Sequence, residues 1–249
     1  KEEIIEYSPE EKAKIFKTWQ ELVVGEKSES DIEIESLDNE QFKELLYKRV
    51  EERLDETTKI LGLNTDENLI KRIDEAKGKE EKAEAQEEMI KSVVKQINSI
   101  PVGTWAFTPK EIERQKKLNC SGAALICGSM LNKIGIKTEY ANPVDHAMNF
   151  VELADGSVLY VDSRNNIVKK IKIEEENFRG VKIKKINDEN IEYKIVPSFP
   201  QRDAIISILE NIEALKPRTE YKDDAKKEHP DDSVAKEAKE IYEKDKKMF

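Results

Sequence analysis

Asn119-Cys120-Ser121-Gly122-Ala123-Ala124-Leu125-Ile126-Cys127-Gly128-Ser129-Met130-Leu131-Asn132 carries no charged side chain, in a chain whose residues are 39% charged. Ala123, Ala124, Leu125, Ile126, Cys127, Met130 and Leu131 would surround a helix on nearly every side, and a helix apolar all round is a buried one. Gly135 follows at the position where a left-handed residue closes a helix. The stretch therefore predicts a buried helix that opens at Cys120.

Upstream of it the pattern is helical and solvated. Ser8-Pro9-Glu10-Glu11 is a capping box, followed by Ile15, Phe16, Trp19, Leu22 and Val23 at helical spacing, with Gly25 as a stop. A second helix is expected from about Asn39 to Leu61, with Phe42, Leu45, Leu46, Val50 and Leu54 on one stripe. Residues 66–88, dense in Glu and Lys and broken at Gly78, predict one or two solvated helices. The stripe resumes at Met89, Ile90, Val93, Val94 and Ile97, and Pro101 ends it. Thr108-Pro109-Lys110-Glu111 caps a short helix that ends near Leu118.

Downstream the period changes to two. Ile136–Tyr140, His146–Leu153 and Ser157–Asp162 predict strands, the last two flanking Asp155-Gly156, a hairpin signal. Ile167–Ile173, Val181–Ile186 and Ile191–Val196 alternate apolar with charged residues, as half-buried strands do. Pro197, Pro200 and Gln201 should then lead to a helix at about 203–215, with a last helix over 234–247 capped by Ser233. The expected fold class is α+β, a buried helix packed on an antiparallel sheet. Its expected parts are a helical N-terminal extension over 1–95, a core over 96–200 and a C-terminal helical segment over 201–249.

Composition bounds the function. The 249 residues hold 43 Lys plus Arg against 53 Asp plus Glu, a net charge of −10. That balance argues against general binding to phosphate backbones, which needs clustered cations. Hydrophobic residues are 37% of the chain, and no apolar run reaches the roughly 18–20 residues that cross a bilayer. Two cysteines make no disulfide framework. Two distant histidines make no His-rich metal site, and no loop has EF-hand ligand spacing, so no cofactor or metal is expected. A soluble, cytoplasmic chain is the expectation. The start at Lys1-Glu2-Glu3, without Met or signal core, also fits a trimmed or exported mature chain.

The versatile side chains gather in order: Cys120 at a helix start, His146 at a strand start, Asp162 at a strand end. A helix N-terminus and a neighbouring imidazolium both favour thiolate. Imidazole accepts and returns a proton near neutral pH, and a carboxylate behind it fixes the ring. The hairpin tests the arrangement. A two-residue loop at Asp155-Gly156 would put Asn149 opposite Asp162 and turn His146 to the other face. A three-residue loop, Ala154-Asp155-Gly156, puts Met148 opposite Asp162 and leaves His146 on the same face as Asp162. The catalytic reading therefore requires an odd-length loop or a bulge. Read singly, Cys120 and Cys127 are small buried hydrophobes and His146 an ordinary strand residue. Asn119-Cys120-Ser121 fits a glycosylation sequon only by chance at a helix start.

These residues resemble the transglutaminase-like superfamily. The likeness rests on Asn119–Ala124, Gly135-Ile136, His146-Ala147-Met148-Asn149-Phe150-Val151-Glu152, Asp155-Gly156 and Tyr160-Val161-Asp162, and it spans about residues 103–165. It implies a papain-like α+β core, with Cys120 as nucleophile, His146 as base and acid and Asp162 as the residue that orients it. It also implies cysteine-dependent hydrolysis or acyl transfer at amide bonds of protein or peptide substrates. Met148 stands where members often carry an aromatic residue, and Ser163 where they often carry Pro. Related folds place a Gln or Trp upstream to help the oxyanion, which makes Gln115 and Trp105 the candidates. The alternative from another class is a non-catalytic protein-interaction module that keeps the fold.

Overall fold

The computed structural model describes residues 8–19, 37–103, 106–143, 146–178, 181–189, 191 and 194–201. The helices expected at 203–215 and 234–247, the stop at Gly25 and the candidate Trp105 lie outside these residues.

The helical half follows its capping signals. In α1 (Pro9–Trp19) the Ser8 hydroxyl accepts from the Glu11 N–H, and the Glu11 carboxylate accepts from the Ser8 N–H. The α2 helix (Asn39–Ile60) opens on a reciprocal box between Asp38 and Gln41. It buries Phe42, Leu46, Val50 and Leu54, one residue every four. The Glu/Lys-rich stretch divides at Gly78 into α3 (Glu67–Glu75) and α4 (Lys79–Asn98). The α4 helix loses its solvated character halfway along: Met89, Ile90, Val93, Val94 and Ile97 have no exposed surface. Thr108 caps α5 (Pro109–Gln115), which ends on Lys116 in the left-handed region. The α6 helix (Cys120–Lys133) buries nine residues from Gly122 to Leu131, as expected where it is apolar all round, and carries a charge only at its last residue.

Among the described residues seven antiparallel strands follow: β1 (Thr138–Ala141), β2 (Met148–Glu152), β3 (Val158–Asp162), β4 (Ile167–Ile171), β5 (Ile173–Phe178), β6 (Val181–Ile186) and β7 (Ile195–Pro200). Their order across the sheet is β4-β3-β2-β1-β7-β6-β5. The strands β4 and β5 thus sit on opposite edges, yet only Lys172 separates them in the chain. A flat sheet cannot satisfy both facts, so the sheet curls into a half-barrel. One face packs on α6 and α4 through Tyr140, Val151, Leu159 and Val161, in a core continuous with that of the helices. The inner face holds a second cluster of Met148, Phe150, Tyr160, Ile171, Ile186 and Val196.

Two strand expectations are corrected. The segment expected as one strand over Ile167–Ile173 is β4, and a further strand, β5, runs through Glu174, Glu175 and Glu176. Its acidic residues face lysines across the ladder, Glu174 opposite Lys185 and Glu175 opposite Lys184, and opposite charges in register stabilise such a pair. The strand expected over Ile191–Val196 is β7, shifted to Ile195–Pro200. Pro197 does not break it. Its carbonyl still accepts from the Asn142 N–H at 3.4 Å, and proline removes only the donor from a ladder.

Candidate active site

Cys120 owes its place to Asn119. The Asn119 side chain accepts from the Gly122 N–H at 2.8 Å, and its backbone is extended while its carbonyl already accepts from Ala123. This is a helix N-cap, and it explains the sequon-like triplet without any glycan. The Asn119 N–H in turn donates to the Ala106 carbonyl at 3.1 Å, pinning the helix start to the loop before α5. Gly122 permits that approach, since a Cβ there would collide with the same carbonyl oxygen. Cys120 is therefore the first residue of α6, where backbone N–H groups have no partner within the helix.

The hairpin settles the parity question. Val151 pairs with Leu159 and Glu152 with Val158. The Leu153 N–H reaches the Ser157 carbonyl and the Gly156 N–H the Leu153 carbonyl, both at 2.9 Å, with Gly156 at φ +83°. The loop is Ala154-Asp155-Gly156, of odd length, and the same register carries Met148 opposite Asp162. His146 stands two residues before β2, beyond the end of the ladder. Its Nε2 lies 2.7 Å from Asp162 Oδ2, with the two side chains 11% and 2% exposed. An ionised carboxylate only accepts, so Nε2–H donates, which leaves Nδ1 for the Cys120 thiol that the ring also contacts.

Asp162 is held independently of His146. Its Oδ1 accepts from the backbone N–H of Arg164 (3.1 Å) and of Asn165 (3.0 Å). Its Oδ2 accepts from Asn165 Nδ2 at 2.8 Å. The turn that supplies these donors is fastened to the end of α4. Arg164 Nη2 donates to the Ile100 carbonyl at 3.0 Å and to the Asn98 carbonyl at 3.3 Å, and Asn98 Nδ2 donates to the Arg164 carbonyl at 2.7 Å. Neither Asn165 nor Arg164 was a sequence-level candidate. The available signal is the pair Asn165-Asn166 in the turn three residues after the strand-end carboxylate Asp162. Tyr140 was also missed. It is buried beneath the start of α6, its hydroxyl meets Ser121, and burial pushes it up to about 12.

The charges support one another. Burial alone would raise the Cys120 thiol. The hydrogen bond and charge of His146, with the N–H groups of Ala147 and Ser121, outweigh burial and hold it below its usual value. The Asp162 bond and the Cys120 contact lift His146 to about 10. Burial would raise Asp162 too, but His146 and Asn165 keep its carboxyl below the ordinary range. In this arrangement each of Cys120, His146 and Asp162 favours the charged form of its neighbour. Cys127 is the contrast: fully buried, its thiol is pushed up to about 12.

This has a consequence for stability. The stabilisation from His146, whose affinity for the proton is raised on folding, is complete below about pH 6.5 and is lost as pH rises towards 10. That from Cys120, whose affinity is lowered, is complete above about pH 8.5 and is lost as pH falls through its folded value. From the folded value of Cys120 up to about pH 8.5 the two slopes oppose each other. Unfolding free energies from urea titration should be flatter with pH there in the wild type than in Cys120→Ala, whose decline should begin near 6.5.

The other oxyanion candidate, Gln115, lies on α5 with its amide nitrogen donating to Glu111 Oε2 at 3.0 Å, within its own helix. A cavity of about 300 Å³ lies between α2 and α6, lined by Glu51, Asp55, Ser129, Asn132, Lys133 and Gln201. None of the three triad residues lines it. Among the described residues, no three His, Cys, Asp or Glu side chains gather as a metal site, and no helix is long and apolar enough to cross a membrane. Compared with protein-family models, curated proteins and solved structures, the chain matches none.

Proposed function

We propose that this chain is a cysteine-dependent amide hydrolase or acyl transferase of papain-like, transglutaminase-like kind, acting on protein or peptide substrates. One observation carries the reading: Cys120 at a helix N-terminus contacts His146, whose other ring nitrogen lies 2.7 Å from the buried Asp162. Such a line of groups is costly to desolvate without a use for it.

The chemistry follows from the positions. The Cys120 thiolate attacks a substrate carbonyl carbon, and the developing oxyanion faces the N–H groups that open α6. His146 gives its proton to the departing nitrogen as the C–N bond breaks, leaving a thioester on Cys120. Water or an acceptor amine then attacks, giving a proton to His146, and the C–S bond breaks to release the acyl product and restore the Cys120 thiolate. Asp162 keeps the ring oriented and its charged form stabilised throughout, and is not itself protonated.

The test is a library of peptides and amides, with and without a primary amine acceptor, turned over by wild type and by Cys120→Ala. The expected result is cleavage or transfer by wild type only. Equal inactivity of both, with a thiol that behaves as an ordinary one, would favour the non-catalytic interaction module.

A further inference from the structure

We infer that Asn165 is a positioning residue for the triad: its amide holds the Asp162 oxygen that binds His146. The inference rests on the catalytic reading of Cys120, His146 and Asp162. Asp162 Oδ2 receives two donors at once, Asn165 Nδ2 at 2.8 Å and His146 Nε2 at 2.7 Å. The two backbone donors, from Arg164 and Asn165, both fall on Oδ1. They anchor one end of the carboxylate but leave it free to tilt about that end. A second donor on Oδ2 removes the tilt and leaves one lone-pair direction, which His146 occupies.

The turn explains why the amide can do this without serving the fold. Asp162 pairs with Ile167 across β3 and β4, so residues 163–166 form the connection. Its reversal is made by Asn166 at φ +55°, a region that Asn tolerates better than most residues. Its attachment is made by the Arg164 and Asn98 bonds to the end of α4. Asn165 itself is exposed, buries little, and sends only its side chain inward to a carboxylate 2% exposed. Its backbone N–H contributes whatever the side chain is. Substituting Asn165 therefore separates the orientation of the triad from the stability of the turn.

The test measures the alkylation rate of Cys120 by iodoacetamide from pH 5 to 10, with melting temperature, in wild type, Asn165→Leu and Asn165→Gln. The leucine variant removes the donor at similar size. It should melt a few degrees below wild type, since the bond it loses goes to a buried carboxylate, and stay folded at about 25 °C. It should alkylate roughly tenfold more slowly at pH 7, the cost of one bond to a charged group. Its half-maximal rate should move to higher pH, because a less well-oriented ring stabilises the thiolate less. Asn165→Gln should recover part of both. Wild-type rate and midpoint in Asn165→Leu would overturn the inference, as would a rate loss matched by a large fall in melting temperature that Gln does not rescue. Wild-type Cys120 reacting like a free thiol would instead defeat the triad reading itself, and this inference with it.

Discussion

His146→Ala is expected to lower amide turnover by roughly 10³-fold, within the range one acid–base group contributes, without unfolding the chain. Two losses combine. The thiol loses the hydrogen bond and the charge that hold its proton affinity down, so less thiolate is present at neutral pH. The departing nitrogen loses its proton donor. Cys120→Ala should cost more, since the covalent route itself disappears, and Cys120→Ala with His146→Ala should be no worse than Cys120→Ala alone. Groups that act as a unit are non-additive in this way. Turnover of the best library substrate, followed in all three variants, measures this. Additive losses would mean that the two residues act separately.

Gly122→Ala is expected to destabilise the chain by about 1–3 kcal/mol, the usual cost of overpacking, and to lower turnover with it. The new methyl would meet the carbonyl of Ala106, a backbone atom that also accepts the Asn119 N–H which seats the cap of α6. Neither the helix nor the loop can yield without moving Cys120. Gly128→Ala is the control: its methyl would meet the amide end of the Gln201 side chain, which can turn away, although at the loss of its bonds to Asn149 and to the Leu125 carbonyl. Urea unfolding of both variants should rank Gly122→Ala as the less stable. An unchanged Gly122→Ala would mean that the loop at Ala106 adapts freely.

Much of the site was legible because it follows short-range rules. An uncharged run in a charged chain marks the buried helix, Asn119 marks its start, and the parity of the hairpin loop places His146 beside Asp162. The parts that stayed hidden depend on distant pairings. Glu174-Glu175-Glu176 has poor strand propensity, and it is Lys184 and Lys185, on the next strand, that make β5 favourable. Pro197 reads as a break because nothing local shows that only its carbonyl is needed. The curl of the sheet follows from β4 and β5 lying on opposite edges, which no periodicity encodes. Asn165 looks like any turn residue until the carboxylate beneath it is known. The same holds for Tyr140, whose place beneath Ser121 depends on how α6 lies across β1.

The most direct test is the rate of Cys120 alkylation by iodoacetamide as a function of pH, with the modified cysteine located by mass spectrometry. Cys127, fully buried and with its thiol pushed up to about 12, should remain unmodified in the folded chain. The arrangement of Cys120, His146 and Asp162 predicts a rate that is already high at pH 6–7, well below the ordinary thiol range near 8.5. It also predicts that His146→Ala shifts the rise back to that range. A wild-type profile that climbs only near pH 8.5, unchanged by His146→Ala, would contradict the thiolate–imidazolium pair and the catalytic reading built on it.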